Sequence, residues 1–269
     1  MPGVLLLWRR DMEEILKKKI LVFSDTHCGH QVGLTPPKWN PRRDNDDLAA
    51  YREALYDWVQ ARTKSYGKVD VAILNGDAVD GTGKKSGGTE QITVDTNEQA
   101  FMCADWMKTV KTKNWFMVYG TPYHTGDKND VEDIISQIMG CKIESTLDLE
   151  VNGRVFNFKH KIGGSQIPHG RATSLLRDKM WNQLWAARGE YPLADVIIRS
   201  HVHYNVVVDT PTGISVITPA LQGYGSKYGT RQVSGTVDYG FMYFEVTDKG
   251  DITWTREILR GPRTVALTV

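Results

Sequence analysis

The chain has little cysteine, no long apolar run and almost no net charge, and each shortage excludes a class of protein. Its three cysteines in 269 residues, Cys28, Cys103 and Cys141, are an odd and scattered set. They make neither a disulfide framework nor a paired-cysteine zinc site, so a reducing, cytoplasmic compartment is expected. No stretch reaches the ~18 consecutive apolar residues of a membrane span. Lys and Arg number 33 against 32 Asp and Glu, for a formal charge of +1, which argues against a strongly basic duplex-binding surface while leaving room for a local basic groove. Hydrophobic residues at 41% and charged residues at 24% are ordinary globular values, so the chain is not a disordered one. The apolar run Val4–Leu7 is too short for a signal-peptide core, and Arg9 and Arg10 follow it instead of preceding it. Residues 1–18 therefore read as a short leader, with Met12 as a second candidate start, and 19–269 as a single domain.

What is present alternates. Ile20–Ser24 is a short β-rich run ending at Asp25. Residues 46–64 carry Leu48, Tyr51, Leu55, Trp58 and Val59 at helical spacing, with Asp44 to Asp47 supplying the cap and first-turn charge. Val69–Leu74 is a strand, 96–112 a helix, Trp115–Tyr119 a strand, and Val131–Met139 a helix closed by Gly140. That β-α-β-α-β-α order predicts a largely parallel sheet with helices on its faces. The second half is richer in strands. It has hairpin signals at Asn152-Gly153, Thr210–Gly213 and Asp248–Gly250, one helix over 172–188, and a strand at Val196–Arg199. The expected fold is α/β: two mixed sheets packed face to face, each with helices outside, a four-layer α-β-β-α sandwich.

Ligands in α/β sheets bind beyond the carboxyl ends of strands. Six of the seven histidines fall at or just after predicted strand ends, His169 being the exception. The first strand is followed by Asp25-Thr26-His27-Cys28-Gly29-His30, the second by Gly76-Asp77-Ala78-Val79-Asp80 and the third by Gly120-Thr121-Pro122-Tyr123-His124. A later β-rich segment carries His160, and Val196–Arg199 leads into Ser200-His201-Val202-His203. Imidazole with carboxylate suits Mn, Fe or Zn, and no thiolate set competes. In extended chain residues i and i+2 point the same way, so Asp25/His27 and His201/His203 are each able to converge on one centre. A carboxylate has two oxygens and can bridge two ions, the clamp used for in-line displacement at phosphorus.

The ordered set SDTHCGH, NGDAVD, YGTPYH, KHK and SHVH resembles the motifs of the calcineurin-like metallophosphoesterases, over roughly residues 20–220. That superfamily includes SbcD-type nucleases, Ser/Thr phosphatases and cyclic-nucleotide phosphodiesterases, and the glycine-rich tail after Thr218 looks most like its phage or prophage members. The resemblance implies two divalent metal ions, with Mn favoured over Fe, Zn or Mg. Asp25, His27 and His203 would hold one ion, His160 and His201 the other, and Asp77 would bridge them. A metal-activated hydroxide would hydrolyse a phosphomonoester or phosphodiester, His124 would protonate the leaving oxygen, and Asp80 would orient a ligand or loop. The partner implied is a phosphoester substrate, nucleic acid and nucleotides among the candidates, in a bacterial or phage-infected cytoplasm.

The chain departs from the family pattern at its third motif, where Gly-Asn-His is replaced by Gly120-Thr121-Pro122-Tyr123-His124. Thr121 as an oxygen ligand, water, or His124 itself are the alternatives for the missing Asn. The loss also keeps open a second function, a non-catalytic metal-binding scaffold. Ser200 stands where a Gly is usual, a change expected to matter little. His30 is a candidate supporting group, and His169 with Arg171 a candidate pair for the substrate phosphate. Residues 31–43, with Lys38, Trp39, Arg42 and Arg43, read either as a substrate loop or as a surface loop with Trp39 packed down. Residues 81–88 fail the P-loop template, with Ala78 and Lys85 at required Gly and Ser/Thr positions, and read as a loop near the active site or a solvated turn. Trp181 and Trp185, four apart on a helix, are expected to pack.

Overall fold

The computed structural model describes residues 16–41, 47–84, 86–125, 130–223 and 235–261. Most of the proposed leader, Arg42, Arg43, the acidic cap Asp44–Asp46, Lys85 and residues 224–234 of the glycine-rich tail lie outside the described residues.

The first sheet joins β1 (Lys17–Phe23), β2 (Val71–Asn75), β3 (Trp115–Val118) and β4 (Lys142–Glu144) in parallel. It is extended by β10 (Tyr239–Thr247) and β11 (Ile252–Leu259), antiparallel, in the order β11-β10-β1-β2-β3-β4. The second sheet runs β5-β6-β7-β9-β8 and is built from β5 (Leu147–Val151), β6 (Arg154–Phe158), β7 (Val196–Arg199), β8 (Val206–Thr210) and β9 (Gly213–Ile217). Its hairpins turn at Asn152-Gly153, both at positive φ, and at Thr210–Gly213, as expected. The strand β1 starts at Lys17, ahead of the apolar run, because Lys17–Lys19 continue the ladder opposite Thr247–Glu245.

Alternation of side chains across each strand builds the layers. Ile20 and Val22 face inward with Ile73, Phe156, Phe158, Val196, Val216 and Phe244, the apolar filling between the sheets. Leu21, Phe23, Ala72 and Leu74 face the other way, under α1 (Asp47–Ser65), α2 (Thr96–Met107) and α4 (Val131–Met139). On the outer face of the second sheet Ile197 and Ile217 meet Leu175 of α5 (Thr173–Ala187). The result is the four-layer α-β-β-α sandwich expected for a calcineurin-like fold.

Two expectations need correction, and one strand has no signal in the sequence. The helix over 96–112 ends at Met107, where Thr109 and Val110 turn away on i→i+3 bonds to Trp106 and Met107. The three-residue strand β4 has no periodicity long enough to read. Finally, α5 buries only Leu175 and Lys179; Leu176, Met180, Trp181, Leu184 and Trp185 are exposed, so the two tryptophans do not pack into a core. The helix rests on the sheet along its 175–179 line, and the 176/180/184 stripe lies about 100° around the axis from it.

Candidate metal centre

The loops beyond the C-terminal ends of β1, β2, β3, β6 and β7 meet at one place. Backbone bonds zip the first two together: Asp25 N–H donates to Gly76 O, His27 N–H to Asp77 O and Cys28 N–H to Ala78 O, at 3.0–3.1 Å. Gly76 and Gly120 let the backbone come this close. A Cβ at Gly76 would stand 2.5 Å from the His160 ring, and one at Gly120 would stand 2.3 Å from Asp77.

Asp25, His27, Asp77, His201 and His203 all adopt left-handed backbone, with φ between 41° and 78°. Each D-x-H or H-x-H pair is thus presented by turned, not extended, chain, and the extended-chain reading of these pairs is corrected. Asp25 and His27 do share a cluster, together with His203, while His201 joins Asp77 and His160. In each of these two triads the ligand atoms lie within 4.8 Å of one another. His203 Nε2 is 3.2 Å from Asp25 Oδ1, His160 Nε2 is 2.9 Å from Asp77 Oδ2, and His201 Nδ1 is 3.7 Å from that same oxygen. His160 Nε2 also lies 3.9 Å from Asp25 Oδ1, so the triads adjoin.

The orphaned atoms test whether divalent ions fit. Asp25 Oδ1, His27 Nε2, His160 Nε2 and His201 Nδ1 are all buried without a hydrogen-bond partner. A buried polar atom is ordinarily satisfied. Here the opposite ring nitrogens are satisfied: His27 Nδ1 pairs with Asp80 Oδ1 at 2.8 Å and His160 Nδ1 donates to Asn75 O at 2.7 Å. Those bonds fix each ring and free Nε2, the arrangement by which a metal-ligating histidine is oriented. With two fully buried carboxylates alongside, the donor set fits two borderline divalent cations.

Charges follow the same pattern. Burial works against the Asp25 carboxylate, but His203 and His160 outweigh it and hold its pKa at about 2. Asp77 is likewise kept well below the usual carboxylate range against burial, chiefly by His160. Burial, then His124, brings His27 down to about 4, leaving a neutral ring fit to ligate. His160 rises to about 10 because Asp77 and Asp25 overcome its burial.

The third group of side chains, His27, Asp80 and His124, is tied by hydrogen bonds. Asp80 Oδ1 faces His27 and, at 3.4 Å, His124 Nδ1, while Oδ2 accepts from Gln91 Nε2 at 2.6 Å. His124 Nδ1 also lies 3.1 Å from Asp80 O. Burial opposes charge on His124, but Asp80 and Asp77 raise its pKa to about 9. Thr121 donates to Asp77 Oδ1 twice, from N–H at 2.6 Å and from its hydroxyl at 3.0 Å, and so sits behind Asp77.

His27, Asp77, His201 and His203 of the triads line a cleft of about 600 Å³ together with His30, Gln91, Tyr123, His124, Lys161 and Gln222. His30 is buried there with Nδ1 accepting from Val32 N–H, in a supporting place. Neither Arg171 nor His169 is among the lining residues. Arg171 lies over the Tyr204 ring at 4.2 Å and donates to Thr236, and His169 sits on an exposed turn. Trp39 is packed down, its indole donating to Asp105, which also pairs with Lys38. Gly83 and Ser86 of the 81–88 loop border the cleft.

Sequence reasoning missed Glu132, Gln91 and Gln99. Glu132 is wholly buried and accepts from Ala78 N–H at 2.9 Å and Gly120 N–H at 2.7 Å, bracing the second and third loops together. Burial raises its pKa to about 7 against those two bonds. Gln99 braces Gly81 through both ends of its amide. None of the three belongs to a motif. Lys161, by contrast, was visible beside His160.

No family model matches the chain, and no curated protein does. Similar solved structures include an archaeal phosphodiesterase at 16% identity, covering 89% of this chain and 99% of that one with a TM-score of 0.45. Zinc-complexed Vps29 from Entamoeba histolytica is 14% identical over 89% of this chain and 98% of its own, with a TM-score of 0.43. A predicted phosphoesterase from Streptococcus pneumoniae is 13% identical over 91% and 99%, with a TM-score of 0.39. At these values the likenesses add nothing to the geometry, on which the functional reading stands. No helix among the described residues is long and apolar enough to cross a membrane.

Proposed function

We propose that the protein is a dinuclear-metal phosphoesterase, hydrolysing phosphomonoesters or phosphodiesters, with nucleotides or nucleic acid as the substrate class. The observation that carries this is the pair of adjoining His/Asp triads, four of whose buried polar atoms make no hydrogen bond and face one another. Asp25, His27 and His203 would hold one ion and Asp77, His160 and His201 the other, with Mn favoured. When bound, the ions supply Lewis acidity at the phosphoryl group and lower the pKa of water, the attacking species. Asp80 keeps His27 in the tautomer that leaves Nε2 free. His124, held protonated by Asp80 with Nε2 left over, gives its proton to the leaving oxygen. Lys161 at the cleft edge draws in the anionic substrate.

A non-catalytic metal-binding scaffold is the second reading. Its support is Thr121, whose hydroxyl is spent on Asp77 where the resembling family places an Asn ligand. Metal content measured alongside turnover of p-nitrophenyl phosphate and bis(p-nitrophenyl) phosphate separates the two. Two Mn per chain with turnover that Asp77→Asn abolishes supports the enzyme; two Mn with no turnover of any screened phosphoester supports the scaffold.

A further inference from the structure

A buried chain of polar side chains lies directly behind the metal centre. Asn75 Nδ2 donates to Ser200 Oγ at 2.6 Å, Ser200 Oγ lies 2.7 Å from Thr218 Oγ1, and Thr218 Oγ1 lies 2.7 Å from Ser24 Oγ. Ser24 Oγ in turn donates to Pro219 O at 3.1 Å. All four residues are completely buried. Every hydroxyl has an acceptor: Asn75 gives to Ser200 and Ser200 to Thr218, Thr218 gives to Ser24 or to the Arg199 carbonyl at 3.2 Å, and Ser24 gives to the Pro219 carbonyl.

The placement is what matters. Ser24 precedes Asp25, Ser200 precedes His201, and Asn75 is one residue removed from Asp77. Asn75 also reaches Lys159 O with its amide and holds His160 Nδ1 with its own carbonyl. Asn75 ends β2 and Ser24 directly follows β1 in the first sheet, while Ser200 and Thr218 directly follow β7 and β9 in the second. Each metal triad likewise takes ligands from both sheets: Asp25 and His27 with His203, and Asp77 with His160 and His201. The spacing between the sheets at this end therefore sets both triads at once. The apolar filling between the sheets is non-directional and tolerates small sliding. Directional bonds of fixed length do not.

We infer that the Ser24–Thr218–Ser200–Asn75 chain is a positioning device that stitches the two sheets at their carboxyl ends and so fixes the geometry of both metal positions. Thr218, at its centre, touches no ligand and acts through the residues on either side. Ser200 is the link from Thr218 to Asn75, so its side chain has a role that a glycine there would not fill.

This inference rests on the two-metal reading, and the test keeps the two apart. Mn(II) is titrated into metal-stripped wild type, Thr218→Val and Thr218→Ser, with binding followed by calorimetry and the spin coupling of the Mn pair by electron paramagnetic resonance. All are held at a temperature where each is folded. Valine keeps the shape and removes the hydroxyl; serine keeps the hydroxyl. We expect Thr218→Val to bind Mn at least ~10-fold more weakly, with an altered or lost spin-coupled signal, and Thr218→Ser to behave as wild type. Val59→Ala, on the buried side of α1, serves as a control for lost stability and should leave the Mn signal unchanged. Wild-type affinity and coupling in Thr218→Val would overturn the inference while leaving the metal centre standing. Failure of the wild type to bind two Mn would overturn the reading beneath it. Should Thr218→Val not fold, Ser24→Ala, at the end of the chain, carries the same expectation.

Discussion

Five residues of the two triads hold a backbone conformation that L-amino acids avoid, at a cost of about 1–2 kcal/mol each. The strain aims side chains from successive turns at one point, which a relaxed strand cannot do. It gives a reversed order of substitution at His201, where φ is 78°. Alanine and glycine both delete the imidazole, but only alanine keeps a Cβ in the left-handed region. In the metal-free protein His201→Gly should be more stable than His201→Ala by about 1 kcal/mol, opposite to the order in a helix or strand. Urea denaturation of the two variants measures it; Ala equal to or above Gly would show that the turn relaxes once the ligand is gone.

Among the elements, α4 and the entry to β1 carry separable roles. The first turn of α4 sends Glu132 inward to accept from Ala78 and Gly120, next to Asp77 and Thr121. In Glu132→Gln an amide NH₂ must face one of those N–H donors. The variant should lose about 1–3 kcal/mol and bind metal more weakly, read by denaturation and Mn titration. An unchanged midpoint would mean that a water replaces the contact. At the far end of the sheet, Asp70 accepts from Lys19 N–H at 2.9 Å and pairs with Lys18 at 3.0 Å. Burial acts upward on its carboxyl, but the Lys19 hydrogen bond and the Lys18 charge outweigh it and depress the pKa below 3.8. A carboxylate depressed by folding stabilises above its unfolded pKa, and that contribution disappears as pH falls through the depressed value. Asp70→Asn should therefore lower stability near pH 7 by less than about 1 kcal/mol, the pair being partly exposed, and flatten the decline of stability below pH 4. Equal acid slopes in the two proteins would remove Asp70 from the account.

For the molecule as a whole, the sandwich and the gathering of the six His and Asp residues into two triads were legible because they depend on short-range signals: strand runs, turn pairs, and His or Asp just past a strand. The split of His201 and His203 between triads was implied only by resemblance, since extended geometry would have sent both to one centre. Glu132, Gln91 and the Ser24–Thr218–Ser200–Asn75 chain were not legible. The partners of Glu132 and of the polar chain lie far away in sequence, as far as 194 residues between Ser24 and Thr218, and a lone serine or glutamine has no pattern of its own even where, as for Gln91 and Asp80, the partner is 11 residues away. The contacts of the polar chain exist only once both sheets have closed on each other, and so do the two triads. Both triads draw on both sheets, so ions held as proposed should behave as a clamp on the entire fold and not as a local staple. Mn at ~100 times its dissociation constant should add about 2.7 kcal/mol per site to unfolding, by mass action on the native state. Chelation should remove this gain, and Asp77→Asn, which weakens the carboxylate of one triad, should lose part of it. Amide hydrogen exchange distinguishes a clamp from a staple. Protection should rise together in β1 and β2 of one sheet and β7 and β9 of the other; a rise confined to the loops beyond their ends would mean that the sheets hold together without the metals, and that the centre merely rides on them.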